Sequence, residues 1–334
     1  MKYEEIIKEL KSGVYKPVYF LQGDEGYFLD KISDFIAENV LEASERDFNQ
    51  TILYGKDVSM QDVINAAKRY PMMSQYQVVI VKEAQHLSRT MDQLEAYIAN
   101  PLASTILVFN YKYKTIDKRK KIGKLLAKHT EFYTAEKIKD YKLADWIVGF
   151  CKSQGLQIKP KASHLMGEYL GNDLSKIANT IEKLKVILES KTVIDEDVIQ
   201  KNVGISKDFN MFELSNALAE KNVYKSNFIV NHFAQNPKNY PFPATLGTLY
   251  NYFTKLMKYH FYASKSSEKE LAIILGVHPY FLKDYRVAAQ NYTKAKLARI
   301  FGYLKDYDLR SKGVGNVSIS DGELLKELVF KILH

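Results

Sequence analysis

The first 135 residues alternate between short apolar runs and amphipathic segments. The apolar runs predict strands over residues 18–22, 49–54, 77–81, 105–110 and 132–134. Several of these runs are apolar at consecutive positions, which is typical of strands that are covered on both faces. The segments between them have helical spacing, and Phe28, Ile32, Phe35 and Ile36 form one apolar face of the first. The pattern therefore predicts an α/β domain with a parallel sheet and crossover helices.

The alternation stops after about residue 137, and almost all of the remaining chain has a helical pattern. Helices are predicted over residues 141–154, 160–170, 174–188 and 195–201. The helical periodicity breaks at residues 204–208 and resumes in an aromatic-rich block, which indicates a second boundary. We therefore expect three domains, over residues 1–138, 139–206 and 207–334.

Composition narrows the classes of protein to which the chain can belong. With 334 residues and 46% hydrophobic content, the chain is long enough to form two or three cores. We expect no membrane span, because no run approaches the ~20 apolar residues that a bilayer requires, and we expect no signal peptide. The single cysteine, Cys151, excludes an internal disulfide and indicates a reducing cytoplasm. The net charge of +9 permits a polyanionic partner without identifying one.

The first strand, the turn with Gly23 and Gly26, and the helix after it have the order of a phosphate-binding loop. Such a loop also needs a lysine and a serine or threonine directly after its last glycine. Here Tyr27 follows Gly26, and the carboxylates Asp24 and Glu25 lie inside the turn. Two carboxylates would repel a polyphosphate. The sequence therefore predicts the backbone shape of a nucleotide site without the side chains that would bind phosphate and magnesium.

Five stretches, taken together in this order, carry a resemblance to a known family. They are PVYFLQGDEGYFLDK (17–31), YPMMSQYQVVIVKEA (70–84), STILVFNYKYKTIDKRKKIGKLL (104–126), EYLGNDLSKIANTIEKL (168–184) and DYDLRSKGVGN (306–316). The sequence resembles, over essentially its whole length, the delta-subunit family of the bacterial DNA polymerase III clamp loader. The resemblance implies an α/β RecA/AAA+-like domain with a parallel sheet, then an α-helical lid domain, then an α-helical C-terminal collar domain.

The resemblance also implies a nucleotide site that has lost its function. Lys82 and Glu83 stand where an ATPase has Asp-Glu, and a lysine cannot ligate magnesium. The lid offers Lys176 where an ATPase supplies an arginine, whereas Asn110 matches a sensor asparagine or serves as a strand-end hydrogen bonder. We therefore expect no ATP hydrolysis, no cofactor, no metal and no catalytic residue in this subunit. The alternative is an α/β fold that never had such a site.

Two stretches are candidates for binding. The resemblance implies that Met72 and Met73 present an apolar pair to a sliding clamp, whereas the alternative is that both fold back onto the sheet. Residues 111–129 are the most basic stretch, with eight Lys or Arg against one Asp. Its central cations are candidate DNA or phosphate contacts, and the alternative is an amphipathic helix with a solvated basic side. These cations are Lys118, Arg119, Lys120 and Lys121.

The histidines and the single cysteine give weaker indications of a metal site or a catalytic site. The seven histidines form no spaced metal motif, and Cys151 is expected to lie in the core rather than to act as a nucleophile.

The resemblance implies a clamp-loader component that binds and opens the sliding clamp (the beta subunit) for loading onto primed DNA during replication. Its implied partners are the ATPase subunits (gamma/tau) and delta prime in a hetero-pentamer, with primer-template DNA. Two alternatives are an ATP-hydrolysing AAA+ enzyme with an atypical site and a DNA-binding replication or repair adaptor.

Overall fold

The chain divides into two compact units, Met1–Ile138 and Lys139–His334. A computed structural model describes residues 3–188, 193–203, 209–316 and 318–334. The division between the units falls at the first boundary expected from the sequence. The second expected boundary, at residues 204–208, lies outside the described residues, so the separation of lid from collar stays a prediction.

The first unit contains a five-stranded parallel sheet. Its strands are β1 (Val18–Gly23), β2 (Gln50–Tyr54), β3 (Gln77–Lys82), β4 (Thr105–Lys112) and β5 (Glu131–Ala135). They are hydrogen bonded in the order β2-β3-β4-β1-β5, and each neighbouring pair is parallel. All five lie within two residues of their predicted ends, which confirms the expected α/β architecture.

Helices cover both faces of this sheet. They are α1 (Tyr3–Lys11), α2 (Gly26–Asn39), α3 (Ala43–Asn49), α4 (Met60–Ala67), α5 (Glu95–Ala99) and α6 (Lys121–His129), with 3-10 turns at Ala84–Leu87 and Met91–Leu94. On β3, Val78 and Ile80 pack in the apolar layer that contains α2, whereas Val79 and Val81 pack in the layer with α4. This two-sided burial explains why the apolar run of β3 is unbroken.

The second unit is almost entirely helical where it is described. Its helices are α7 (Asp140–Ser153), α8 (Pro160–Leu170), α9 (Leu174–Ile187), α10 (Glu196–Val203), α11 (Met211–Ala219), α12 (Val223–Gln235), α13 (Phe242–Tyr262), α14 (Glu268–Leu275), α15 (Leu282–Asn291), α16 (Lys294–Ser311) and α17 (Asp321–Leu333), with a 3-10 turn at Pro279–Phe281. A parallel pair of two-residue strands, β6 (Gln157–Ile158) and β7 (Val193–Ile194), was not predicted. Strands of this length are too short to produce a periodic signal.

One large apolar cluster joins the helices from α11 to α17. Phe253 of α13, Tyr292 after α15 and Leu328 of α17 are among its fully buried members. The last helix begins with the cap expected from the sequence, since the hydroxyl of Ser320 accepts a hydrogen bond from the Glu323 amide at 3.3 Å. Within the described ranges, every helix is too short or too polar to cross a lipid bilayer.

Candidate functional site

The turn between β1 and α2 is closed by backbone hydrogen bonds to the neighbouring strands. The amides of Asp24 and Glu25 both donate to the carbonyl oxygen of Ala135, at 3.0 and 3.3 Å. The amide of Tyr113 donates to the carbonyl of Gly23 at 2.9 Å. In a phosphate-binding loop, amides at this place face the phosphate. Here the amides of Asp24 and Glu25 are already bound to the end of β5.

Gly23 is required by this closure. Its φ of +124° lies in a region that side-chain-bearing residues rarely adopt. A Cβ at this position would collide with the carbonyl oxygen of Ala135 and lie 2.9 Å from its carbonyl carbon. Gly26 is different, because a Cβ there would make only ordinary contacts with the side chains of Tyr113 and Lys112, at 3.6 Å or more.

The N-terminus of α2 already has an anion of its own. Glu25 is the N-cap residue, and its carboxylate accepts a hydrogen bond from the Tyr27 amide at 3.3 Å. The residue is 7% exposed, so this carboxylate is held against the helix end and away from water. The positive end of a helix dipole stabilises an anion. In this protein a side chain provides it, and a phosphate at the same place would meet a negative charge.

A lysine at the end of β4 lies between two carboxylates, those of Asp30 in α2 and of Glu83 directly after β3. Lys112, the last residue of β4, has its Nζ 2.8 Å from Asp30 and 3.7 Å from Glu83. Burial acts to lower the pKa of Lys112, but its hydrogen bond to Asp30 and the nearby charges of Asp30 and Glu83 raise it above the usual value. Lys82 is paired with Asp34 of α2 at 3.6 Å. These carboxylates are therefore neutralised by ammonium groups rather than left available to a metal ion.

Glu83 and Asn110 are both engaged by side chains of their own unit. Glu83 accepts a hydrogen bond from the side-chain amide of Gln85, and its φ of 55° starts a 3-10 turn directly after β3. Asn110 is fully buried, and its amide donates to Ser33 at 2.8 Å and more weakly to Asp30 at 3.4 Å. The structure therefore places Asn110 as a hydrogen bonder between the end of β4 and α2.

The two methionines are exposed. Helix α4 ends at Ala67, and the chain reaches β3 through a loop in which Met72 is 63% exposed and Met73 fully exposed. The alternative that both side chains fold back onto the sheet is therefore wrong. The loop backbone is held by the side chain of Asn49, a contact that the sequence analysis missed. Asn49 was expected at the start of a strand, whereas it is the last residue of α3.

The basic stretch does not form one continuous helix. It runs from the end of β4 through a loop into α6, which begins at Lys121 and buries Ile122, Gly123 and Leu126. The expected amphipathic helix is thus confined to residues 121–129. The four candidate cations are all exposed, although several have protein partners. Arg119 pairs with Asp117 at 2.9 Å, Lys121 pairs with Glu95, and the Lys118 ammonium lies 4.8 Å from the centre of the Phe132 ring.

The remaining candidates for chemistry have structural surroundings. Cys151 is fully buried, and burial raises the pKa of its thiol to about 12, so the reactive thiolate is disfavoured. His164 packs against the rings of Phe212 and Phe281, and burial lowers its pKa to about 4. No three His, Cys, Asp or Glu side chains in the described part of the chain are grouped so that they could hold a metal ion.

Comparison with known proteins gives consistent matches along the chain. The family model of the DNA polymerase III delta subunit matches residues 19–136, and that of its C-terminal domain matches residues 208–329. The DNA polymerase III subunit delta of Bacillus subtilis (strain 168) is 26% identical over 97% of this chain and 94% of that protein. Among solved structures, the Bacillus subtilis DNA clamp loader delta protein matches with a TM-score of 0.59 and 23% identity over 99% of both chains. A Thermotoga maritima RuvB Holliday junction branch migration motor matches with a TM-score of 0.37 and 13% identity over 87% of both chains.

Proposed function

Because the chain belongs to the DNA polymerase III delta subunit family, we propose that it binds a sliding clamp through Met72 and Met73 and helps to open the ring. A role in clamp loading follows from the family and from the matching clamp loader delta protein. The observation that carries the proposal is the exposure of the methionine pair on a loop with a fixed backbone. Methionine adapts its flexible thioether to an irregular apolar socket.

The expected strength of this contact is that of a binding hot spot. Burial of one such side chain is worth ~1.5–3 kcal/mol, so the pair contributes roughly 3–6 kcal/mol before the costs of ordering. A few residues of this kind usually dominate the affinity of an interface. The ring opens because the subunit binds the open or distorted clamp more strongly than the closed clamp, since only differential affinity shifts such an equilibrium.

In this proposal the subunit works without hydrolysing ATP. Three features support the absence of ATP hydrolysis, because each occupies a place that a nucleotide and its magnesium need. They are the closed turn, the Glu25 carboxylate at the start of α2 and the pairing of Lys112 with Asp30. ATP would act on the gamma/tau subunits of a hetero-pentamer that also contains delta prime. The subunit is then a non-catalytic accessory protein of the replication machinery in the cytoplasm.

Mixing the purified chain with its cognate sliding clamp tests this proposal. We expect a stable complex in size-exclusion chromatography, with the same affinity in the presence and absence of ATP and magnesium. We also expect no ATP turnover by the chain alone above the background of a buffer control. Turnover would favour the ATP-hydrolysing alternative. Failure to bind the clamp, together with tight and salt-sensitive DNA binding, would favour the DNA-binding adaptor.

A groove on the helical unit is the surface that we assign to a neighbouring subunit. It lies along α13 and α16, has a volume of about 600 Å³ and is lined by Tyr250, Thr254, Met257, Lys258, Phe261, Tyr262, Lys265 and Phe301. Tyr250 and Phe261 remain about half exposed. Lys294 lies over the Phe261 ring at 4.5 Å, and no acidic side chain is among these described lining residues. An apolar partner helix with acidic flanks fits this surface.

Substituting the groove aromatics is expected to disrupt assembly. Tyr250→Ser with Phe261→Ser should weaken co-purification with the gamma/tau and delta prime subunits by at least about tenfold, because two aromatic anchors are lost. Clamp binding by the isolated chain should stay unchanged. Phe330→Ser is the matched control, since Phe330 is equally exposed on α17 but does not line the groove. Normal assembly of the double variant would place the subunit contact elsewhere.

The basic segment is the surface that we propose for primer-template DNA within the assembled complex. Lys118, Arg119, Lys120 and Lys121 are exposed in and next to the loop before α6. The ion pairs that Arg119 and Lys121 already make lie at the surface, where solvent screens them and they contribute little to stability. A DNA phosphate can therefore replace Asp117 or Glu95 at little cost.

A further inference from the structure

The side chain of Asn49 holds both backbone polar groups of Met72. Its Nδ2 donates to the Met72 carbonyl oxygen at 2.9 Å, and its Oδ1 accepts from the Met72 amide at 2.6 Å. Asn49 is only 2% exposed, at the C-terminal end of α3. Because both hydrogen bonds are made by one buried planar amide, they fix the position and the orientation of the Met72 backbone.

This fixed backbone determines where the two methionine side chains lie. Met73 has a φ of 53°, a left-handed conformation that is uncommon for a residue other than glycine. With Met72 held on one side and β3 beginning at Gln77 on the other, the loop presents both side chains to solvent. A freely moving loop would have to be ordered on binding, and that ordering reduces affinity.

We propose that Asn49 is a positioning residue of the clamp contact, which holds the Met72–Met73 loop in its binding conformation before the clamp arrives. The inference rests on the proposed function, because it concerns the same contact. Asn49 itself is buried and does not touch the clamp. An asparagine is needed because one side chain must both donate to a carbonyl and accept from an amide. Leucine has a similar size and can do neither.

The variant Asn49→Leu tests this role in the full chain. We expect its affinity for the sliding clamp to fall about tenfold, with hydrogen exchange of the Met72 amide accelerated and exchange of the β3 amides unchanged. Binding to the gamma/tau and delta prime subunits should remain at the level of the unsubstituted chain. Asn39→Leu is the control for loss of a side-chain amide donor, because the exposed Asn39 donates to the Phe35 carbonyl within its own helix, α2, and not to the loop backbone. It should leave clamp affinity unchanged.

A second variant keeps the test decisive if leucine disturbs the fold. Asn49→Asp retains the size and the acceptor for the Met72 amide, but it loses the donor and places a carboxylate against the Met72 carbonyl. It should fold and still bind the clamp more weakly. The positioning role would be overturned if Asn49→Asp, or a folded Asn49→Leu, bound the clamp with the affinity of the unsubstituted chain.

The inference and the proposed function fail in different ways. If Met72→Ser with Met73→Ser abolishes clamp binding while the Asn49 variants bind normally, only the positioning role is wrong. If the methionine variant binds the clamp normally, the contact itself lies elsewhere and both proposals fail. Loss of all partner binding by both Asn49 variants, together with a lower melting temperature, would mean that Asn49 supports the fold rather than the loop.

Discussion

Met72→Ser combined with Met73→Ser is expected to weaken binding to the sliding clamp by at least about 100-fold and to leave the melting temperature within about 2 °C of the unsubstituted chain. The loss follows from ~1.5–3 kcal/mol of apolar burial per side chain, since about 1.4 kcal/mol corresponds to a tenfold change in affinity. Stability should hardly change, because both side chains are already exposed in the free protein. Isothermal titration and differential scanning calorimetry measure the two quantities.

Tyr54→Ser is a suitable control for this experiment. Tyr54 is an exposed apolar residue of the same unit, but it lies at the carboxyl end of β2, whereas the methionine loop precedes the amino end of β3. Since the two strands are parallel neighbours, Tyr54 and the methionine loop lie at opposite ends of this strand pair. Clamp binding should survive in Tyr54→Ser. A large drop in the melting temperature of the methionine variant would instead mean that the pair belongs to the core.

Gly23→Ala is expected to destabilise the protein by at least about 3 kcal/mol. The new methyl group would collide with the Ala135 carbonyl, and the backbone would keep an unfavourable φ of +124°. Backbone atoms of two hydrogen-bonded strands cannot move apart as a flexible side chain can. Relief therefore requires the end of β5 to separate from β1. Urea unfolding at 25 °C, followed by circular dichroism, measures the loss.

Gly26→Ala provides the comparison within the same turn. Its methyl group has room beside Tyr113 and Lys112, and Gly26 does not have a positive φ. Alanine also favours a helix over glycine by roughly 0.5–1 kcal/mol. We therefore expect the stability of Gly26→Ala to be unchanged or slightly higher. Equal destabilisation by the two substitutions would mean that the turn, rather than its contact with β5, demands glycine.

The sheet could be predicted because the apolar pattern of each strand is visible within a few consecutive residues. Each of the five strands is an apolar run, and burial on both faces makes such a run continuous, as Val78 to Val81 show. The helical second half was predictable for the same reason, since its apolar positions repeat with the period of a helix. The proposed role of the methionine loop and the expected partner subunits came from the family resemblance, not from the pattern of apolar positions.

The contacts that hold the candidate site were not predictable, because they join residues far apart in the chain. Lys112 belongs by sequence to a basic run, but it pairs with Asp30, 82 positions away. Asn49 follows helical residues and precedes a strand, and nothing in its neighbourhood indicates a partner at Met72, 23 positions away. A single sequence has no period or motif that marks such pairs. Only the folded chain brings them together.

The carbonyl of Ala135 limits what substitution of side chains could achieve at this turn. Installing a lysine and a threonine after Gly26 would supply the side chains of a nucleotide site, yet the amides of Asp24 and Glu25 would still be bonded to a main-chain oxygen. Side-chain substitution cannot remove that oxygen, because every residue type has it. Freeing these two amides for a phosphate would require a shift of the end of β5 itself. Point mutations confined to side chains would therefore not by themselves create a phosphate-binding loop here.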